Sequence, residues 1–452
     1  MSAADTRDTV VAVATAAGAA AVGVLRLTGP QAYGMAERIA GPMPPPRQAT
    51  LRTFRDSAGA PVDRGLLLAF PGPGSYTGED LVEFHTHGNP LLLAALLRAL
   101  LAAGARHARP GEFTERAFLN GKLDLVQAEA VADVIAAGSE RALAVANRAL
   151  AGDFSRAIHA IRTELVALRS TTEALIDFAD EGDVHSATVE KDVAVQAMAL
   201  AERLRELQRA ARQGEALGRH HRVVICGAPN AGKSTLMNAL TGTDRAIVTA
   251  VPGTTRDVLT AELVAGGMTL TLADTAGLRE TAEEIEREGI RRAREEIRNA
   301  DLVLLIYEAG MACPSPEEIL EGEGALPPLI RVRNKIDRTS EPMPEPQGEG
   351  AEEVAVSALH RQGLDALLTR IQEVLGVAPE GDTPLIARAR HLAALAEATA
   401  ELQFEDAADF QQDLVLSAER LRRAHRALSE LVGELTTEDL LGEIFGKFCI
   451  GK

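Results

Sequence analysis

The stretch GAPNAGKST, Gly227–Thr235, restricts this chain more than any other. It has the spacing Gly-x4-Gly-Lys-Ser, directly after the apolar run RVVICG and directly before GKSTLMNAL, which read as a buried strand and a helix. Glycines let backbone N–H groups curl around phosphate oxygens, Lys233 reaches the terminal phosphates, and the Ser234 hydroxyl can ligate Mg2+. Asn230, Ala231, Gly232, Lys233, Ser234 and Thr235 therefore form the expected phosphate cradle. A glycine-rich strand–helix turn without a ligand is the plainer alternative.

Residues 222–376 alternate short apolar runs (MTLTLAD, DLVLLIYE, PPLIRVRNK, EEVAVSA) with helical segments, the pattern of a mostly parallel sheet that binds ligands at its strands' carboxyl ends. DTAG begins at Asp274, followed by Thr275, Ala276 and Gly277; NKID supplies Asn334, Lys335 and Asp337; SAL supplies Ser357 and Ala358. Each tetrapeptide is weak alone, but in this order, each after an expected strand, they resemble the translation-factor-like GTPases. That resemblance implies GTP as nucleotide, Asp274 behind the Mg2+ shell, Gly277 near the third phosphate, and Asp337 accepting from guanine N1–H and its exocyclic amine. Where a Ras-type GTPase carries glutamine after DTAG, this chain has Leu278, which cannot orient a water. Asn230 and the hydroxyl-rich IVTAVPGTTRD, Ile247–Asp257, could instead ring a monovalent cation against the phosphates; a flexible polar loop is the simpler reading.

At 452 residues the chain exceeds one hydrophobic core. A formal net charge of −18 argues against a broad nucleic-acid surface, so any RNA contact must be local or partner-supplied. Cys226, Cys313 and Cys449 have neither metal-ligand spacing nor an even disulfide framework, which fits a reducing cytoplasm. Thr9–Leu25 is uncharged but rich in Ala, Thr and Gly behind acidic residues; it reads as two buried strands around a Gly18 turn and not as an export or membrane segment. We expect a multidomain chain. An α+β domain spans residues 1–120, helical segments span 121–215 and 379–452, and a Ras-like α/β P-loop GTPase domain is inserted at 216–378. The two helical segments should pack together.

Several long stretches carry a further resemblance: SYTGEDLVEFHTHG, ARPGEFTERAFLNGKLDLVQAEAVADVI, EALIDFADE, GTTRDV, DTAGLRE and the ending LLGEIFGKFCIGK. Over its whole length the chain is similar to the MnmE (TrmE) family of tRNA modification GTPases. The resemblance implies a folate-binding amino-terminal domain that also dimerises, and GTPase domains that pair when K+ activates them. It also implies a homodimer that joins the FAD-dependent flavoprotein MnmG (GidA) in a heterotetramer. Together they place an aminomethyl-type (carboxymethylaminomethyl) group on C5 of the wobble uridine of certain tRNAs, with 5-formyl- or methylene-tetrahydrofolate as one-carbon carrier. It places K+ at Asn230, Thr249, the Val251 carbonyl and Thr254, Mg2+ at Ser234 and Thr255, and a water-positioning acid at Glu286. Arg26, Glu83, Lys122 and Lys452 fall on folate-contacting positions, whose cations suit a glutamyl tail and whose carboxylate suits a pterin edge. Cys449 then lies beside the one-carbon carrier as nucleophile or proton shuttle, or as a structural thiol. Gly451 and Lys452 do not satisfy a prenylation box.

Two departures stand out: ATAAGAAAVGV is poorer in Pro, Gly and Arg than the family's usual turn, and EAGMACPSPEEILEGEGALPP differs in length and content. His85 and His87 alternate along an expected strand and face one side, which raises a metal site against ordinary packed or solvent-facing histidines. A GTP-gated assembly or ribosome-associated module is the competing function; it predicts that Cys449, Lys452 and the folate trio are dispensable.

Overall fold

The computed structural model describes residues 8–177, 187–242, 259–274, 295–314, 327–339, 353–377, 384–385, 387–433 and 438–451. The chain divides into two compact units, one of Met1–Ile135, Arg148–Leu204 and Ala393–Lys452, the other of Ala136–Asn147 and Arg205–Leu392.

In the first unit, β1 (Val10–Val13), β2 (Ala20–Thr28), β3 (Thr50–Arg55), β4 (Pro61–Phe70), β5 (Leu81–Gly88) and β6 (Arg106–His107) form a sheet ordered β3-β4-β5-β2-β1-β6. Gly18, with φ +114°, lies between β1 and β2 as expected from the sequence, but the first three residues of β2, Ala20, Ala21 and Val22, are exposed and not buried. Period-two alternation sends Val11, Leu25, Leu27, Leu67, Val82 and Phe84 to one face, beneath α1 (Ala32–Ala40) and α2 (Pro90–Ala102). Helix α2 starts where a strand cannot continue: Pro90 needs no N–H partner, and the Asn89 side chain caps the Leu91 amide at 2.9 Å. The opposite face carries Val10, Ala12 and Leu81 against Phe113 of α3 (Glu112–Leu119). Register places Ala12, Arg26, Glu83 and Leu68 in one row across it.

A buried ion network fastens α3 to this sheet. Arg116, 2% exposed, donates to the Asp8 carbonyl at 2.9 Å, Asp8 Oδ1 at 2.7 Å, Glu79 Oε2 at 3.0 Å and Glu112 Oε1 at 2.9 Å. Arg106 adds bonds to Asp8 Oδ2 and Glu112 Oε1, both at 2.7 Å. Burial opposes ionisation of Glu112, but hydrogen bonds from Arg106, the Arg109 amide and Arg116 outweigh it and hold the carboxyl at about 2.

Helices complete the unit: α4 (Leu125–Ala136), α6 (Asp153–Asp177), α7 (Ala187–Gly218) as far as Leu204 and, far along the chain, four more, while most of α5 (Glu140–Leu150) belongs to the second unit. Of the residues that follow Glu353–Ala355, Leu364–Val374 forms α9, Ala389–Glu401 α10, Ala407–Gln412 α11, Leu414–Val432 α12 and Glu438–Gly446 α13. The apolar stripe of α6, including Ile158, Ile161, Leu165 and Leu168, is buried where α6 packs along α12, whose own stripe includes Leu421, Ala424, Leu428 and Leu431. Asp413 caps α12 at the Leu416 amide and Gly433, at φ +87°, ends it. Helix α13 sets Ile444 and Phe445, with Phe448 just beyond, on Leu125 and Ala128 of α4.

In the second unit, β7 (His220–Gly227), β8 (Leu259–Ala265), β9 (Met268–Asp274), β10 (Leu302–Glu308), β11 (Leu329–Asn334) and β12 (Glu353–Ala355) are ordered β12-β11-β10-β7-β9-β8. All pairs are parallel except β8 with β9. Helix α8 (Lys233–Thr241) follows β7, whose two neighbours come later in the chain, so its carboxyl end is the topological switch point. The β8–β9 turn is Gly266–Gly267, with φ +58° and +90°, values a two-residue hairpin of matching twist requires. Ser139 Oγ donates to the Gly267 carbonyl and Arg141 Nη1 to the Gly266 carbonyl at 3.0 Å. A Cβ on Gly138 would lie 2.4 Å from Thr269 Oγ1, so residues just before α5 seat directly on this hairpin. Among the described residues no helix is long and apolar enough to cross a membrane.

The Glu112 network has a defined acid signature. The carboxyl has the lower pKa when folded, so its contribution, on the order of 3 kcal/mol, is complete above pH ~4.5 and lost as pH falls toward ~2. Urea unfolding across that window should show the loss, and Glu112→Gln should flatten it.

Candidate functional site

Strand β7 delivers the phosphate-loop motif to the switch point. Val223, Val224, Ile225 and Cys226 are buried, and burial pushes the Cys226 thiol up to about 12 against the pull of Lys233, which leaves it a packing residue. At Gly227, φ +145°, an added Cβ would lie 2.0 Å from the Ile306 carbonyl oxygen; only glycine lets the loop leave so close to β10. Asn230 turns the loop at φ +63°, and Gly232, at φ +98°, starts α8. Lys233 is 8% exposed and donates from Nζ to the carbonyls of Gly227 and Ala228, both at 2.9 Å, arching back over the loop. Ser234 and Thr235 follow on the exposed first turn of α8.

The base-recognition motifs lock onto this loop. Asn334, 2% exposed at the end of β11, donates from Nδ2 to the Ala231 carbonyl at 2.8 Å and accepts the Ala358 amide at 3.0 Å. One side chain thus joins the phosphate loop, NKID and SAL. Ser357 donates to Asp337 Oδ1 at 2.5 Å, and this bond holds the Asp337 carboxyl below its ordinary range, an ionised acceptor for paired N–H donors. Lys335, at φ +64°, is anchored through Nζ to Glu308 Oε2 at 2.6 Å, which also holds Arg338 at 3.1 Å through Oε1. Glu308 was not among the residues expected from sequence; its only signal was its place at the end of the DLVLLIYE strand. Asp274 closes β9 in register with Ile225. Thr249, Val251, Thr254, Thr255, Thr275, Ala276, Gly277 and Glu286 lie outside the described residues.

The other unit gathers a second set. Arg26 Nε donates to Glu83 Oε1 at 2.8 Å, and the guanidinium lies 5.9 Å from the centre of the Tyr76 ring. Tyr76 is fixed by Thr114 Oγ1 at 2.9 Å. Lys122 Nζ donates to the Pro73 carbonyl at 3.1 Å, in the same loop as Tyr76. The tail reaches this domain: the Gly111 amide donates to the Cys449 carbonyl at 3.4 Å, and a Cβ on Gly451 would lie 2.4 Å from the Val13 carbonyl oxygen. Val13 pairs with Leu25, next to Arg26. The Cys449 residue is exposed, and Lys452 lies outside the described residues. His85 and His87 serve different carboxylates, Glu83 and Asp63, at 2.9 Å each, and among the described residues no group of three metal-ligating side chains occurs.

A phosphate loop at the switch point, cross-braced to an Asn–Lys–x–Asp base loop, defines a P-loop GTPase. The description "MnmE helical domain" matches residues 125–449 and "GTP-binding protein TrmE N-terminus" residues 9–122. The chain is 46% identical to the tRNA modification GTPase MnmE of Xanthomonas campestris pv. campestris strain B100, over 98% of this chain and 99% of that one. With the protein of the same name from Alkalilimnicola ehrlichii the identity is 47%, over 99% and 100%. Among solved structures, Aquifex aeolicus Era bound to GDP and AlF4− is 28% identical, spans 40% of this chain and 67% of that one, and superposes with a TM-score of 0.27. The chain belongs to the MnmE family of tRNA modification GTPases and is a GTP hydrolase.

Replacing Asn334 by Ala leaves the Ala231 carbonyl and the Ala358 amide without this partner in a buried setting. A cost of about 1–3 kcal/mol follows, and GDP affinity measured with a fluorescent analogue should fall by about fivefold to a hundredfold.

Proposed function

We propose that this chain is a K+-activated cytoplasmic GTPase whose homodimer, joined to the FAD-dependent flavoprotein MnmG in a heterotetramer, drives addition of a carboxymethylaminomethyl-type group to C5 of the wobble uridine of certain tRNAs. Support for the tRNA-directed part comes from family membership and the matching names of its relatives. The structural observation that carries the reading is the tail, whose Cys449 backbone bonds to Gly111 while Gly451 lies against β1, next to the Arg26–Glu83 pair.

In the nucleotide site, Lys233 sets a buried positive charge at the phosphate loop and Asp337, with Asn334 and Lys335 beside it, selects the base. Ser234 and Thr255 would hold Mg2+; Asn230, Thr249, the Val251 carbonyl and Thr254 would hold K+. Asn230 fits that role: it is exposed on the turn of the loop, with a side-chain carbonyl oxygen suited to a hard cation. When bound, the monovalent ion supplies positive charge beside the phosphates in place of an arginine finger. Glu286 positions the water that Leu278 cannot. In the amino-terminal domain Glu83 takes the donor edge of a reduced pterin, Arg26, Lys122 and Lys452 take its acidic groups, and Cys449 serves its one-carbon unit as nucleophile or proton shuttle.

GTP turnover should be faster by at least about tenfold in K+ than in Na+ buffer, and Asn230→Ala should abolish the difference; equal rates in the two salts would exclude the cation mechanism. Mass-spectrometric analysis of tRNA nucleosides from a deletion strain should show the wobble modification restored by the wild-type chain and not by Cys449→Ser.

A further inference from the structure

The carboxylate of Glu83 is held from both sides. Arg26 Nε occupies Oε1 at 2.8 Å and His85 Nε2 occupies Oε2 at 2.9 Å. Glu83 and His85 are two residues apart on β5 and so project from one face, and Arg26 is the direct cross-strand partner of Glu83 on β2. This is the face of the sheet that α1 and α2 leave uncovered, and none of the three is sealed: their side chains are 27%, 15% and 29% exposed for Arg26, Glu83 and His85. Burial works against ionisation of Glu83, but the His85 bond and the Arg26 charge outweigh it and keep the carboxyl below its ordinary range.

Charge balance alone does not call for His85, because Arg26 already neutralises Glu83. What the second donor adds is geometry. A carboxylate held through one oxygen still rotates about its last side-chain bond; one held through both has a fixed plane. Each oxygen has two lone pairs, so each can accept a second donor beside its internal one. The two oxygens of a carboxylate held in a fixed plane can together meet a ligand edge with two adjacent N–H donors, as in a 2-amino-4-oxo pyrimidine ring. The Tyr76 ring, fixed by Thr114, adds a flat wall behind Arg26.

We infer that His85 is a positioning residue of the pterin site: by donating to Glu83 it fixes the carboxylate that reads the ring's paired donors, an inference that rests on the folate reading above. Residue 85 thereby tunes affinity for the carrier without touching it.

The test is calorimetric titration of the full-length protein with 5-formyltetrahydrofolate. His85→Phe removes the donor and fills the space; His85→Gln keeps an N–H donor at similar reach. The phenylalanine variant should bind about tenfold more weakly, the loss of one charge-assisted hydrogen bond, and the glutamine variant within about threefold of wild type. Equal affinity in wild type and His85→Phe overturns the role of His85 and leaves the folate reading standing. Glutamine as weak as phenylalanine also overturns it, since the donor would then not be what matters. If the wild-type protein binds none of this probe, the folate reading and the inference fall together.

Discussion

The amino-terminal domain depends on a guanidinium taken out of water. Arg116 is almost wholly enclosed, and an unpaired cation there would cost several kcal/mol. The fold meets this by bringing three separate pieces of chain to it: Asp8, two residues before β1, the loop ahead of β5 and the first turn of α3. Those pieces carry the domain's chemistry. The loop brings Tyr76 to Arg26, α3 brings Thr114 to Tyr76, and the turn before α3 offers the Gly111 amide to the tail. Besides stabilising the domain, this network sets where Tyr76, Thr114 and the Gly111 amide stand.

The nucleotide site uses a different economy. Its side chains satisfy one another through backbone groups: Lys233 on loop carbonyls, Asn334 on the Ala231 carbonyl and the Ala358 amide. Base recognition and phosphate recognition therefore share a single frame. Backbone partners cannot be swapped by mutation, so such a frame tolerates change in the residues around it while the glycines at 227 and 232 stay fixed by lack of space.

Motif order and strand–helix alternation made the second unit readable, because a parallel sheet buried on both faces writes continuous apolar runs such as RVVICG and DLVLLIYE. Strands β3 and β8 escaped. TLRTFR is a half-polar edge strand, and LTAELVA shows itself as a strand only when Gly266–Gly267 is recognised as its turn. The charges of ARPGEFTER look like an ordinary solvated helix start; nothing local reveals that Arg116 and Glu112 are buried, since Asp8, which pairs with Arg116, lies over a hundred residues away. His85 and His87 were legible as neighbours on one face; His85 meets Glu83 two residues away on β5, but the partner of His87, Asp63, depended on pairing across β4 and β5.

Residues Ala136–Asn147 belong, by sequence, to the helical stretch that precedes the inserted domain, yet they are part of the compact unit that holds the nucleotide sheet. Ser139 and Arg141 satisfy the two carbonyls at the tip of the β8–β9 hairpin. The guest has therefore borrowed a piece of its host. Excised at the apparent sequence boundary near residue 216, the nucleotide domain would leave that tip to water, and its behaviour in isolation would understate how firmly the strand ending at Asp274 is held in the intact protein.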